Sequence, residues 1–286
     1  MLRPADRRAS WELTALAAAV LLSLLLPAGA SAWGEKGNKL IVSSALGTLP
    51  QEMRPFFEAN RDFLLQHVTG PKETVAKNPA ERKNQFLFLE RYGRFPFDSL
   101  PRSYKAAVAK FSRAKLEANG LLPWQIGVYS EKLTNAMRAG KWDEARENAA
   151  LLAYYVGAAH DPFNTTDNQD GQLSGQAGLS LRFGTNLIER YASFFPLRPN
   201  DAIFVNEPTE QAFEACLSAH SWLETILLAD RNSRRGLPSY TDEYYDRFFN
   251  QAAAILIRQI SDSATDVGSY WYTAWVNAGK PALPQH

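Results

Sequence analysis

The chain has 286 residues, 45% of them hydrophobic, with 31 Lys and Arg against 30 Asp and Glu and a single cysteine, Cys216. A chain this long and this apolar can bury one large core, so it is not a disordered polyelectrolyte, and one cysteine excludes an intramolecular disulfide framework. Its charges balance and no Lys/Arg block interrupts them, so nothing supplies the basic stripe that holds a phosphate backbone by counterion release, which weighs against nucleic acid as a partner.

Residues 1–32 read as an address. Arg3, Arg7 and Arg8 precede an apolar run over 13–26 that is too short to span a bilayer comfortably, and Ala30-Ser31-Ala32 supplies a small-x-small cleavage site. The expectation is a signal peptide whose removal makes Trp33 the mature N-terminus of a secreted or periplasmic protein. That segment carries one more basic than acidic side chain, so the mature chain is formally neutral. Nothing after residue 32 has the length and apolarity of a membrane span.

From residue 33 onward apolar side chains recur at helical spacing, and no stretch shows the sustained alternation of a half-buried strand. The spacing predicts an all-α, single-domain fold over 33–279 with a short tail at 280–286. Helices are expected at 35–46, 50–68 with a kink at Pro55, 101–118, 123–139, 142–159, 179–194, 208–229 and 241–278. Pro50, Pro101, Pro123 and Pro208 suit first-turn positions, while Gly120, Gly140 and Gly279 suit helix ends. Composition marks 69–84, with Pro71 and Pro79, and the Asn/Asp/Gln/Gly/Ser/Thr-rich 164–178 as solvated loops. The run Asp167-Asn168-Gln169-Asp170-Gly171 is no calcium loop: with Gly171 at the sixth position, the first and twelfth fall on Thr166 and Ala177.

Helix 142–159 runs into Tyr154-Tyr155-Val156-Gly157-Ala158-Ala159-His160-Asp161-Pro162-Phe163-Asn164. This stretch resembles the His-Tyr-x-x-Asp-x-x-x-Pro-x-His helix end of the zinc-dependent phospholipase C and single-strand nuclease superfamily. Other segments follow in the same order. Trp33-Gly34 with Asn38 is similar to that family's N-terminal Trp-Gly and first His, and Leu49-Pro50-Gln51-Glu52-Met53-Arg54-Pro55-Phe56-Phe57 to a bacterial version of its second helix. Gln85-Phe86-Leu87-Phe88-Leu89-Glu90-Arg91-Tyr92-Gly93 resembles its His-Tyr-x-Asp-x-Asp-x-Tyr-Gly, the segment 165–176 its long polar loop, and Gly178-Leu179-Ser180-Leu181-Arg182-Phe183-Gly184 its Gly-x-His-x-x-x-Glu. The last hundred residues carry no matching motif.

The resemblance implies a helical fold and, in the family, three zinc ions held by the N-terminal amine and carbonyl, five His, two Asp and one Glu. Trp33 is retained. The His positions hold Asn38, Gln85, Tyr154, Asn164 and Ser180; Ala158 and Gly184 replace an Asp and the Glu, and the other Asp falls loosely on Thr69 or Gly70. Zinc sites are built from thiolate, imidazole or carboxylate donors, and amides, hydroxyls, Ala and Gly do not serve. Acids and imidazoles have gone together, which spares the interior unpaired charge. No zinc is therefore expected.

Of the four histidines, His67, His160, His220 and His286, none forms a metal-binding pair by spacing, and His160 reads as a hydrogen-bonded structural residue. Cys216 reads as a small buried hydrophobe. Tyr240, Tyr244, Tyr245, Phe248, Phe249, Tyr270, Trp271, Tyr272 and Trp275 read as interhelix packing. Glu90, Arg91, Tyr92 and Arg182 read as a supporting polar network. On a sharper reading, Asn38, Gln85, Asn164 and Ser180 line a cleft in which Arg182 offers charge to a ligand.

The expected function is a non-catalytic member of this fold type, exported, with a metal-free cleft for a small polar or phosphate-bearing ligand, a lipid headgroup or another exported protein. The competing classes are a phosphodiester hydrolase with a relocated metal site and an envelope-associated structural or interaction protein.

Overall fold

The computed structural model describes residues 33–284; the proposed leader at 1–32 and the last two residues, His286 among them, lie outside the described residues. Among those described there are helices and turns but no strand. The chain opens with α1 (Gly34–Thr48), α2 (Arg54–Ala59), α3 (Arg61–His67) and α4 (Gly70–Lys77), followed by α5 (Tyr104–Phe111), α6 (Arg113–Asn119), α7 (Leu122–Arg138) and α8 (Trp142–Ala159). After the polar segment come α9 (Leu179–Leu181), a π turn (Arg182–Asn186), α10 (Leu187–Tyr191), α11 (Pro208–His220), α12 (Leu223–Arg234) and the long α13 (Asp242–Asn277).

Helix α13 is the hub. Tyr244, Phe248, Ala252, Leu256, Ile260, Ala264, Val267, Trp271 and Ala274 repeat at intervals of three or four and are all buried, which gives one continuous apolar stripe. Along it α13 packs on α1, α7, α8 and α12. Gly268 sets the closeness of α1, because a Cβ there would stand 2.0 Å from Thr48 Oγ1. The aromatic C-terminal region is mostly interior, with Tyr240 the exposed exception at 43%. Cys216 is fully buried and burial pushes its thiol up to about 12, so it packs as a hydrophobe. No helix among the described residues is long and apolar enough to cross a membrane.

Several helices differ from their expected extents for identifiable reasons. Helix α8 runs over the expected residues, but 50–68 breaks at Asn60 and not at Pro55. Pro55 lies in the first turn of α2, where its missing N–H costs nothing, while Asn60 Nδ2 takes the Phe56 carbonyl at 2.8 Å. The expected 101–118 helix breaks at Ser112, whose φ is 71° and whose Oγ caps α6 by accepting from Lys115 N. The expected 208–229 helix is α11 and α12, divided at 221–222. The segment 69–84 is not a loop: Pro71 and Pro79 open α4 and a 3-10 turn (Pro79–Gln85), so here proline starts helices.

The expected 179–194 helix is interrupted by the π turn and ends in a 3-10 turn at Ala192–Phe194. Residues 164–178 are irregular, as composition implied, but less solvated than it implied. Thr165, Thr166 and Gln176 are buried, and the segment's own amides close it: Asn168 Oδ1 accepts from Leu173 N at 2.7 Å and Gln172 Nε2 donates to Asp167 O at 2.7 Å.

Candidate functional site

The C-terminal half of α8 is apolar all round, with every residue from Leu152 to Ala159 buried, so other elements must pack against it on all sides. A Cβ on Gly157 would lie 3.7 Å from both Trp33 Cδ1 and Asn38 Oδ1, and the Gly157 carbonyl accepts the Trp33 indole N–H at 2.8 Å. This contact seats Trp33, which has no exposed surface, at the head of α1. One turn into α1, Asn38 donates from Nδ2 to Gly34 O at 2.6 Å.

The helix ends at His160, and Asp161 caps the next turn by accepting Phe163 N–H at Oδ1, 2.9 Å away. Asn164 then folds back, its Nδ2 donating to the Ala158 carbonyl at 3.1 Å, which also accepts the Asp161 N–H at 3.2 Å. The backbone of 85–89 runs alongside: Leu87 N donates to Asn164 O at 2.8 Å and Leu89 N to Thr165 O at 3.1 Å. That brings Gln85 to Tyr154, whose hydroxyl donates to Gln85 Oε1 at 3.0 Å, while Gln85 Nε2 holds Pro71 O at 2.9 Å. Burial raises the Tyr154 pKa far above neutral, so the phenol stays protonated and a donor.

Gly184, in the π turn, closes the group. The position its Cβ would occupy is 3.8 Å from Asp161 Oδ2 and 3.8 Å from the Trp33 backbone nitrogen. Trp33, Asn38, Gln85, Tyr154, Ala158, Asn164 and Gly184 thus surround the last turns of α8, and all but the half-buried Gln85 are buried. Their side-chain donors are committed: the Trp33 indole to Gly157 O, Asn38 to Gly34 O, Gln85 to Pro71 O, Tyr154 to Gln85 and Asn164 to Ala158 O.

Ser180 and Arg182 belong to a different assembly. Ser180 Oγ donates to Asp170 Oδ1 at 2.9 Å, and Asp170 Oδ2 accepts Gly178 N–H at 2.7 Å. Arg182 Nε is 3.1 Å from Asp230 Oδ1, and its Nη atoms hold the carbonyls of Ala177 and Gln176 at 2.7 and 3.0 Å. Gln176 Nε2 donates to Asp230 Oδ2 at 2.6 Å and the Tyr244 hydroxyl donates to Asp230 Oδ1. Burial opposes the guanidinium charge, but the Asp230 carboxylate outweighs it and the Arg182 pKa is raised. Arg182 is therefore already committed.

Sequence reasoning missed Asp161. It is the one acid at the end of α8, it is buried, and burial pushes its pKa up to about 7, with the N–H groups of Phe163 and Trp33 pulling it down. Its only signal in sequence is Asp before Pro after a helical run, which is equally the mark of a simple cap. His160 was read as structural, and its Nε2 meets Asp266 Oδ2 at 2.9 Å while its carbonyl accepts Gln259 Nε2.

Zinc does not fit these residues. Amides, a phenol and the Asp161 carboxylate surround α8's last turns, His160 is paired with Asp266, and among the described residues no three His, Cys, Asp or Glu side chains gather to hold a metal ion. The histidines serve separate elements: His67 Nδ1 meets Phe63 O at 2.8 Å, and His220 lies between Thr165 at 3.2 Å and Glu90 at 3.9 Å. Arg91 pairs with Asp167 at 2.8 Å.

A separate groove of about 1170 Å³ opens between α7 and α11, with Arg102, Trp124, Glu131, Arg138, Glu207 and Glu210 in its walls. Arg102 pairs across it with Glu210 at 3.4 Å and covers the Phe213 ring. No protein-family model matches the chain, and no curated protein matches it either.

Proposed function

We propose that this protein is a non-catalytic, metal-free relative of the zinc-dependent phospholipase C and single-strand nuclease type, exported and acting by binding. The observation that carries the reading is the self-satisfaction around α8: Tyr154 bonds Gln85 and Asn164 bonds the Ala158 carbonyl, where the resemblance puts metal-binding side chains. Phosphodiester hydrolysis in that family uses metal-polarised water and metal-stabilised phosphate oxygens, and these residues offer neither ion a donor set.

The occupant is a small polar ligand, a lipid headgroup or another exported protein. Arg182 is compensated by Asp230, so the charge for binding comes from elsewhere. The groove between α7 and α11 presents Arg102 and Arg138 beside Glu131, Glu207 and Glu210, a mixed-sign surface suited to a polar partner carrying both charges.

Elemental analysis of the protein as isolated tests this reading, combined with a phosphodiester cleavage assay in added zinc. We expect far less than one zinc per chain and no cleavage that a chelator abolishes. Tightly held stoichiometric zinc with chelator-sensitive cleavage overturns it in favour of an active hydrolase.

A further inference from the structure

We propose that removal of the leader completes the pocket at the end of α8, because it converts the Trp33 nitrogen into an α-ammonium that forms a buried ion pair with the Asp161 carboxylate. The inference rests on the export reading, with cleavage between Ala32 and Trp33 by a signal peptidase. Water supplies the hydroxyl to the Ala32 carbonyl carbon and a hydrogen to the departing Trp33 nitrogen. The new acid then gives up its proton and the new amine gains one.

Three features of the structure converge on this pair. Asp161 is buried at 3% exposure, and only backbone N–H groups, those of Phe163 and Trp33, offset the burial of its charge. A carboxylate in such a place is costly without a cation. The Trp33 nitrogen is held against it, fixed from one side by the indole bond to Gly157 O and bordered on the other by the bare Cα of Gly184.

Backbone conformation is the third feature. Trp33 has φ 46° and ψ 6°, a left-handed conformation that crowds the Cβ of any residue except glycine and costs about 1–2 kcal/mol. The φ torsion is defined by the carbonyl carbon of residue 32. Once that carbon is cut away, the torsion and its crowding both disappear, so the conformation is strained in the unprocessed chain and free in the processed one. Full stability then arrives only with processing.

The test compares the exported chain beginning at Trp33 with a chain that retains Ser31-Ala32 ahead of it, each with Asp161 and with Asp161→Asn. The processed chain is expected to melt about 5 °C above the extended one, the relieved backbone strain and the pair acting together in a protein of this size. In the Asp161→Asn background the gap should shrink to the part owed to backbone strain. Equal melting of the two Asp161 chains overturns the pair, and so does a gap that Asp161→Asn leaves unchanged. Should the Asn variants not fold, the pH dependence of the gap between the two Asp161 chains decides: the pair predicts a gap that widens as pH rises from 3.8 towards about 7, and a gap that stays constant is strain alone and overturns the pair. Mass spectrometry of the exported protein separates the two layers: a start other than Trp33 overturns the cleavage on which the pair depends, whereas a start at Trp33 with equal melting overturns only the pair.

Discussion

Among the described residues two aspartates, Asp161 and Asp230, are buried, and they are treated differently. Asp230 has a cation supplied by the fold, Arg182, together with the Tyr244 hydroxyl and the Gln176 amide, so every strong demand of its charge is met by side chains. Asp161 has backbone N–H groups and no side-chain cation among its pKa-shifting neighbours. The contrast teaches that a buried acid can be supported by a partner brought from far along the chain or by local dipoles alone. Support from backbone dipoles alone leaves Asp161 poised near neutrality. The first arrangement holds elements together; the second is sensitive to what happens to the chain next to it.

The sharpest way to break the comparison is to remove the better-supported acid. Asp230→Ala leaves the Arg182 guanidinium, 5% exposed at its side chain, without its counter-charge, and we expect a loss of about 3–5 kcal/mol in denaturant unfolding. Replacing Arg182 and Asp230 together by apolar residues of similar volume should recover much of that loss, since burying an ion pair is itself expensive. If the single change costs less than about 1 kcal/mol, the network is not the internal clamp described here.

The next effect is one of pH, and its sign follows from the direction of the shift. Burial raises the Asp161 pKa from 3.8 to about 7 in the chain that keeps residues ahead of Trp33. The folded form therefore binds its proton more tightly than the unfolded form. Its contribution to stability is complete below 3.8, is lost as pH rises towards about 7, and is level beyond that. Thermal melts across this window should show the extended wild type losing ground against extended Asp161→Asn, while the processed chain, with its α-ammonium in place, should not lose it. A difference between wild type and Asp161→Asn that is independent of pH would remove the contrast between the two acids.

The helical nature of the protein was legible because apolar spacing is a property of neighbours in sequence, and the expected limits of α8 were those observed. Where helices break was less so. Asn60 and Ser112 interrupt apolar periodicity that continues past them, because their side chains compete for backbone groups, a contest that spacing does not register. The same limit divides the candidate site. Tyr154, Ala158 and Asn164 share one stretch of chain and gather at one helix end, whereas the sequence suggests both a supporting network and a free charge for Arg182, and its counter-charge, Asp230, lies 48 residues further along, where spacing does not reveal it. Asp161 escaped notice for the opposite reason: it was in the motif, but it is buried beside Trp33 and Gly184, which only the fold brings near.

The smallest effect concerns Gly184, the residue facing both Trp33 and Asp161. Its φ is not in the left-handed region, and an added Cβ would meet Asp161 Oδ2, Trp33 N and Trp33 Cα at 3.8, 3.8 and 3.9 Å, which are ordinary contacts. Sterics therefore permit Gly184→Ala, and the lost backbone freedom of the unfolded chain favours it by up to about 1 kcal/mol. A methyl group at this point also reduces the polar space left beside a buried charge, which opposes that gain. The expected outcome in the extended chain is a stabilisation below about 1 kcal/mol in denaturant unfolding. In the processed chain the gain should be smaller, because the ammonium has more N–H groups to satisfy than the amide it replaces, and the methyl narrows the room for them. Equal gains in the two chains would mean that the gap at Gly184 is indifferent to the Trp33 nitrogen, and the two acids would then differ only in their partners and not in their sensitivity to processing.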